Sequence, residues 1–196
     1  NKNYFSFGFN LSDNAGNTNS PVWHYLYLDR SAPEVQLTNP IDGITISTIS
    51  YNYGFNVSDN SFGIDGHFTP EVNCTIYIDG QIKNQHISTN NETVSLTASL
   101  TGLDDGSYNW QVVCVDSAGW STQSLTRTFI LDTTGPTITL TSPENNSVIN
   151  NSQIISLNVN DALSQVNKVW YQDALGNTLT TTNVGPNQYT INPSSW

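Results

Sequence analysis

"LDRSAPEVQLTNP", residues 28–40, and "LDTTGPTITLTSP", residues 131–143, are one phrase spelled twice. Each runs Leu-Asp, two polar residues, a small residue, Pro, alternating apolar positions, then a polar residue and a second Pro. Asp29 answers Asp132, Pro33 answers Pro136 and Pro40 answers Pro143, each pair 103 residues apart. Proline has no amide hydrogen to give a ladder, so a proline on each side of a short alternating run predicts an edge strand with stops. A strand entered from a Leu-Asp ending and closed in this way reads as the joint between two similar domains.

Between the two phrases no segment shows a 3.6-residue period, and two-residue alternation dominates. Tyr51, Tyr53, Phe55 and Val57 line one face of a strand, and Val72, Cys74, Ile76 and Ile78 line another. The second runs into Asp79-Gly80, a hairpin signal, because a type I′ turn needs positive φ at both central residues. Val94, Leu96 and Ala98 predict a further strand, Tyr108, Trp110, Val112 and Cys114 the next, and residues 125–131 the last. Short strands at this spacing, parted by polar turns, predict an all-β antiparallel sandwich of about seven strands over residues 33–133.

Three pieces carry a family resemblance. They are the Asp-x-x-x-Pro joint (Asp29 to Pro33, Asp132 to Pro136), the turns "DNAGN" and "DSAGW" at Asp13 and Asp116, and "GLDDGSYNW" at residues 102–110. On these the chain resembles the tandem immunoglobulin-like and fibronectin-type modules of prokaryotic surface fibres and adhesins. Leu103 and Tyr108 stand like the pair that closes a sandwich end with a tyrosine corner. The resemblance implies a β-sandwich fold and a surface role; fold alone does not supply function. It also implies that the strands holding Cys74 and Cys114 are neighbours in one sheet, and hence a disulfide, which would stabilise by about 4 kcal/mol in the chain-entropy account. In similar adhesin modules joint carboxylates bind calcium, which wants six to eight oxygens. The candidates by position are Asp13, Asp29, Asp59, Asp116, Asp132 and Asp161. Asp also begins turns by bonding its own backbone two residues on, so turn formation alone would account for them.

The repeat extends to both ends. Residues 1–32 match 104–135, the last strands of the middle domain, and residues 134–196 match its opening strands. "FNVSD" at 55–59 returns as "LNVND" at 157–161, and "EVNCTIYID" at 71–79 as "QVNKVWYQD" at 165–173. The expected layout is one whole domain, 33–133, flanked by two partial ones that complement each other between copies. Joining Trp196 to Asn1 rebuilds the module, with Trp196 and Phe5 at the tyrosine-corner spacing. Phe5, Phe7, Phe9, Trp170, Tyr189 and Trp196 are the expected assembly residues. The copies would be successive repeats of one chain or separate subunits exchanging strands.

Composition narrows the function. Lys and Arg number five against sixteen acids, a net charge of −11. That argues against nucleic acid, which needs a basic stripe to displace counterions, and against an anionic membrane surface. No apolar run approaches the ~20 residues of a membrane span. With no Met and no leader, the chain reads as processed or cut from something longer. N-x-Ser/Thr sequons stand at Asn10, Asn56, Asn73, Asn91, Asn145 and Asn150. Composition alone yields about that many, so position must decide which carry glycan. His24, His67 and His86 lie in unrelated contexts with no catalytic motif, and no enzyme is expected. The reading is a glycosylated structural repeat of an extracellular filament or adhesin stalk, with copies of itself as partner and no cofactor except calcium. The alternative is a carbohydrate-binding module with exposed aromatics such as Trp120 or Trp170, or a spacer of a secreted protein.

Overall fold

A computed structural model describes residues 4–60, 70–173 and 175–192 of the chain. His67 and Trp196 lie outside the described residues. The described residues form strands and no helix. The first two strands, β1 (Tyr4–Phe9) and β2 (Val22–Tyr27), make an antiparallel hairpin with Phe9 opposite Val22 and Tyr4 opposite Tyr27.

The middle of the chain supplies β3 (Glu34–Asn39), β4 (Ile44–Ile46), β5 (Ser50–Ser58), β6 (Val72–Ile78), β7 (Gln81–Ser88), β8 (Glu92–Ser99), β9 (Gly106–Asp116), β10 (Ser121–Gln123) and β11 (Arg127–Leu131). One sheet runs β3-β5-β8; the other runs β4-β11-β9-β6-β7, with β10 paired to β9. The expected edge strand between two prolines is β3. The hairpin expected at Asp79-Gly80 joins β6 to β7, with φ of 43° and 77° at the two turn residues. Three strands lie beyond those read from apolar alternation: β4 and β7, at opposite edges of the second sheet, and β10, paired to β9. β7 reads "QIKNQHIS", mostly polar, because an edge strand with one wet face needs few apolar residues.

Alternation places Tyr53, Phe55, Val57, Ile76, Trp110, Val112 and Phe129 in the core. Tyr53 meets Trp110 edge-on at 5.0 Å between ring centroids, and Tyr108 stacks on Phe129 at 5.6 Å. Gly54 interrupts the aromatic run of β5. A Cβ there would stand 2.6 Å from Thr38 Oγ1, so a larger residue would need the Thr38 side chain to move where β3 bulges between Leu37 and Asn39.

The C-terminal part repeats this plan. Its strands are β12 (Thr137–Ser142), β13 (Ile155–Asn160), β14 (Trp170–Gln172), β15 (Thr178–Thr180), β16 (Thr182–Gly185) and β17 (Gln188–Ile191). They form a sheet β12-β13-β17-β16 and a separate hairpin β14-β15. Thr137 faces Asn160 as Glu34 faces Ser58, and a bulge falls between Leu140 and Ser142 as between Leu37 and Asn39. The peptide bonds before Pro40 and Pro143 are both cis. By compactness the chain divides into residues 1–44, 50–101 and 108–129 as one unit and residues 45–49, 102–107 and 130–196 as another. The core of the first is the aromatic cluster around Tyr53; that of the second includes Val159, Tyr189 and Ile191.

Candidate functional site

The strands of the C-terminal part can be matched to those of the middle part. β12, β13 and β17 repeat β3, β5 and β8, and β14-β15 repeats β6-β7. Among the described residues this set has no counterpart of β9 and β11, and the paired strands β1 and β2 lie 103 positions before those two neighbouring strands. Its residues are exposed where their counterparts, 103 positions on, are core. Phe9 is 58% exposed and Val112 0%; Leu11 is 70% and Cys114 0%; Leu26 is 58% and Phe129 0%. Phe7 and Leu28 stand in the same relation to buried Trp110 and Leu131. Phe7 and Phe9 pack only lightly, around His24, with ring centroids 5.5 and 5.8 Å from the imidazole. Phe5 corresponds to half-buried Tyr108, so it belongs at a rim. In the C-terminal set Trp170 is 58% exposed where its counterpart Ile76 is buried. Ile138, Leu140 and Val184 are exposed as well, whereas Tyr189 is already covered on β17.

The aspartates divide by role. Asp13 opens "DNAGN": its Oδ1 accepts the amides of Ala15 and Asn17 at 2.9 and 2.8 Å, and its Oδ2 accepts the Asn17 side-chain amide at 2.7 Å. Asp116 opens "DSAGW" alike, with Oδ1 accepting the amides of Ala118 and Trp120 at 2.8 and 2.9 Å. A third copy, "DALGN", opens at Asp173 with the amides of Leu175 and Asn177 at 2.9 and 2.8 Å. Sequence reasoning passed it over, although Asp-x-x-Gly-Asn spells the turn. Gly16, Gly119 and Gly176 all take φ between 84° and 90°, the left-handed value this turn requires. Hydrogen bonds from the Asn17 and Asn177 side chains, foremost, hold the carboxyls of Asp13 and Asp173 below the usual range. The Ser164 amide, then that of Leu163, does the same for Asp161. Asp132, which is buried, donates its amide to the Ile46 carbonyl.

Three of the six aspartates singled out above meet in the first unit. Ligand oxygens of Asp29, Asp59 and Asp116 all lie within 4.8 Å of one another. The joint delivers Asp29, the end of β5 delivers Asp59, and the end of β9 delivers Asp116. Asp59 and Asp116 are buried and Asp29 half-buried. The Asp59 amide donates to Asn91 Oδ1 at 3.0 Å, and the Trp120 indole Nε1 donates to the Asp29 carbonyl at 3.4 Å. Asp116 Oδ2, buried, has no hydrogen-bond donor among the described residues.

The expected bridge is present: Cys74 and Cys114 face each other across β6 and β9 and are joined as a disulfide. All six sequon asparagines are exposed. Where Asn56, Asn91, Asn145 and Asn150 bond to the protein through Oδ1, Nδ2, the atom a glycan would take, is left for attachment. His86 pairs with Glu92 at 3.1 Å.

No curated protein matches the chain. Among solved structures it is similar to the fibronectin(III)-like modules of Clostridium thermocellum CbhA, at 18% identity and a TM-score of 0.37, covering 81% of this chain and 78% of that one. It is also similar to the CARDB domain of a Pyrococcus furiosus protein in complex with di-metal ions, at 16% identity and a TM-score of 0.33, covering 52% and 86%. The FN1–FN3 domains of chicken CNTN1 follow at 13% identity and 0.31, covering 97% and 65%. Residues 136–196 match the family model described as bacterial Ig domain. The chain is thus an all-β protein whose residues 136–196 match the bacterial Ig domain model.

Proposed function

We propose that this chain is the repeat unit of an extracellular filament or surface stalk. The β1-β2 hairpin of one unit finishes the sandwich begun by β12 to β17 of its neighbour. The observation that carries this is the exposure of Phe7, Phe9, Leu11, Leu26 and Leu28 at positions that are core in the finished domain. With the β6-β9 register carried over, Leu11 would stand opposite Lys168 and Phe9 opposite Trp170 of the neighbour. Burying each large apolar side chain stabilises by roughly 1.5–3 kcal/mol, which is set against the cost of association. The contact is head to tail, and such contacts extend into open fibres unless the rotation closes. The same register serves successive repeats on one chain and separate subunits. The disulfide fits an oxidising, extracellular compartment, and glycan on the exposed sequons fits the same surface.

The register is testable by one pair of substitutions. Leu11 and Lys168 correspond to Cys114 and Cys74, which are bridged in the finished domain. A chain carrying Leu11→Cys and Lys168→Cys, assembled at high concentration and oxidised, should run as a ladder of covalent multimers without reductant. Monomer with two free thiols, or a bridge within one chain, refutes the reading.

A further inference from the structure

Three carboxylates drawn to within 4.8 Å repel one another, and burial of Asp59 and Asp116 strengthens that repulsion. Turn formation accounts for only half of the Asp116 carboxylate: Oδ1 takes two amides, whereas Oδ2 is buried with no donor among the described residues. An acceptor in that state has room for a donor or a cation, and beside two further carboxyl oxygens a cation meets all three at once. The donor set is all oxygen, which selects a hard divalent cation. Calcium holds its oxygens at about 2.3–2.6 Å, so ligands on opposite sides of one ion stand roughly 4.8 Å apart.

The repeat carries the same three positions into the rebuilt sandwich. Asp132 precedes β12 as Asp29 precedes β3, Asp161 follows β13 as Asp59 follows β5, and Asp13 opens the turn after β1 as Asp116 closes β9. The first two belong to one unit and the third to the hairpin. We propose that Asp29, Asp59 and Asp116 hold a calcium ion within each unit. A second ion is held by Asp132 and Asp161 of one unit with Asp13 of the next, so that assembly itself completes the site. This second site rests on the assembly reading above; the first does not. Asp13 Oδ2 already accepts the Asn17 side chain, but a carboxylate oxygen has a second lone pair for a cation. At the position of Asn17 the first site has Trp120, whose indole lies against Asp29 and serves as its optical reporter.

The test uses the 196-residue chain and a chain of two units in tandem, Trp196 joined to Asn1. Calorimetric titration with calcium should give one ion per single unit below its assembly concentration. Terbium in its place should emit on indole excitation, and Trp120→Phe should dim that emission without changing the calcium count. Asp116→Asn or Asp59→Asn, with the Cys74–Cys114 bridge still formed, should abolish the single-unit ion. The tandem chain should take up three ions, and Asp13→Asn in its second unit should lower this to two. No ion on the single unit overturns the proposal. Two ions on a tandem chain whose junction has folded overturns the shared site alone. A tandem chain whose junction unfolds like the free hairpin shows that the assembly reading has failed, and the shared site with it.

Discussion

Phe9 should be nearly silent in one context and costly in another. It is 58% exposed on the hairpin of a single unit, and its counterpart Val112 is 0% exposed. A phenylalanine has roughly 200 Å² to bury, so completion of the sandwich covers about 115 Å² more of it, or about 3 kcal/mol at ~25 cal/mol per Å². In urea, the two-unit tandem chain should show an unfolding transition that the single unit lacks, belonging to the rebuilt sandwich. Phe9→Ala in the second unit should lower the stability of that transition by about 3 kcal/mol. In the single unit the same substitution should change stability by under about 0.5 kcal/mol, as for an exposed residue. Val112→Ala should instead weaken the transition common to both proteins. If Phe9→Ala costs the same in both chains, or the tandem chain shows no added transition, the hairpin is not a missing pair of core strands.

Intact mass after alkylation, with and without reductant, should show one bridge, and Cys114→Ala should cost about 4 kcal/mol of stability for a sequence separation of 40. Tyr53→Phe should be neutral or stabilising by about 1 kcal/mol in thermal unfolding, because the Tyr53 hydroxyl is buried without a hydrogen-bond partner. Acid should destabilise the fold. Hydrogen bonds depress the carboxyls of Asp13, Asp105, Asp161 and Asp173 below 3.8, led in Asp105 by the Thr134 hydroxyl. Their contribution is therefore present above about pH 4 and is lost as the pH falls through the folded-state values; a melting temperature unchanged from pH 5 to pH 2 would contradict it. Peptide mapping of native material should find glycan-bearing asparagine among the six sequons, Asn91 and Asn145 first, and unmodified peptides at all six would reject this.

Much of the fold was legible because its signals are local. Pro33 and Pro40 stop an edge strand by chemistry alone, and Asp79-Gly80 forces its own turn. β7 was legible only through the Asp79-Gly80 turn that precedes it, since Lys83, Asn84 and Gln85 carry no apolar alternation. The bridge was legible through the placement of its strands. Of the six aspartates, sequence could mark the repeating positions but could not say that only Asp29, Asp59 and Asp116 converge. Convergence depends on the end of β9 reaching the end of β5, a relation between segments 57 residues apart in number. Asp173 was missed because it repeats at a different interval from the 103-residue phrase.

The Cys74–Cys114 bridge has a mechanical consequence. It ties β6 to β9 in the finished domain, whereas the matching place in the rebuilt one holds Lys168 and Leu11. A fibre of such units would alternate covalently locked modules with modules held only by packing and pairing. Under tension the unlocked modules would part first, each acting as a fuse that spares the domain beside it. The released hairpin keeps its own turn bonds at Asp13, so a parted joint could dock again without refolding the rest.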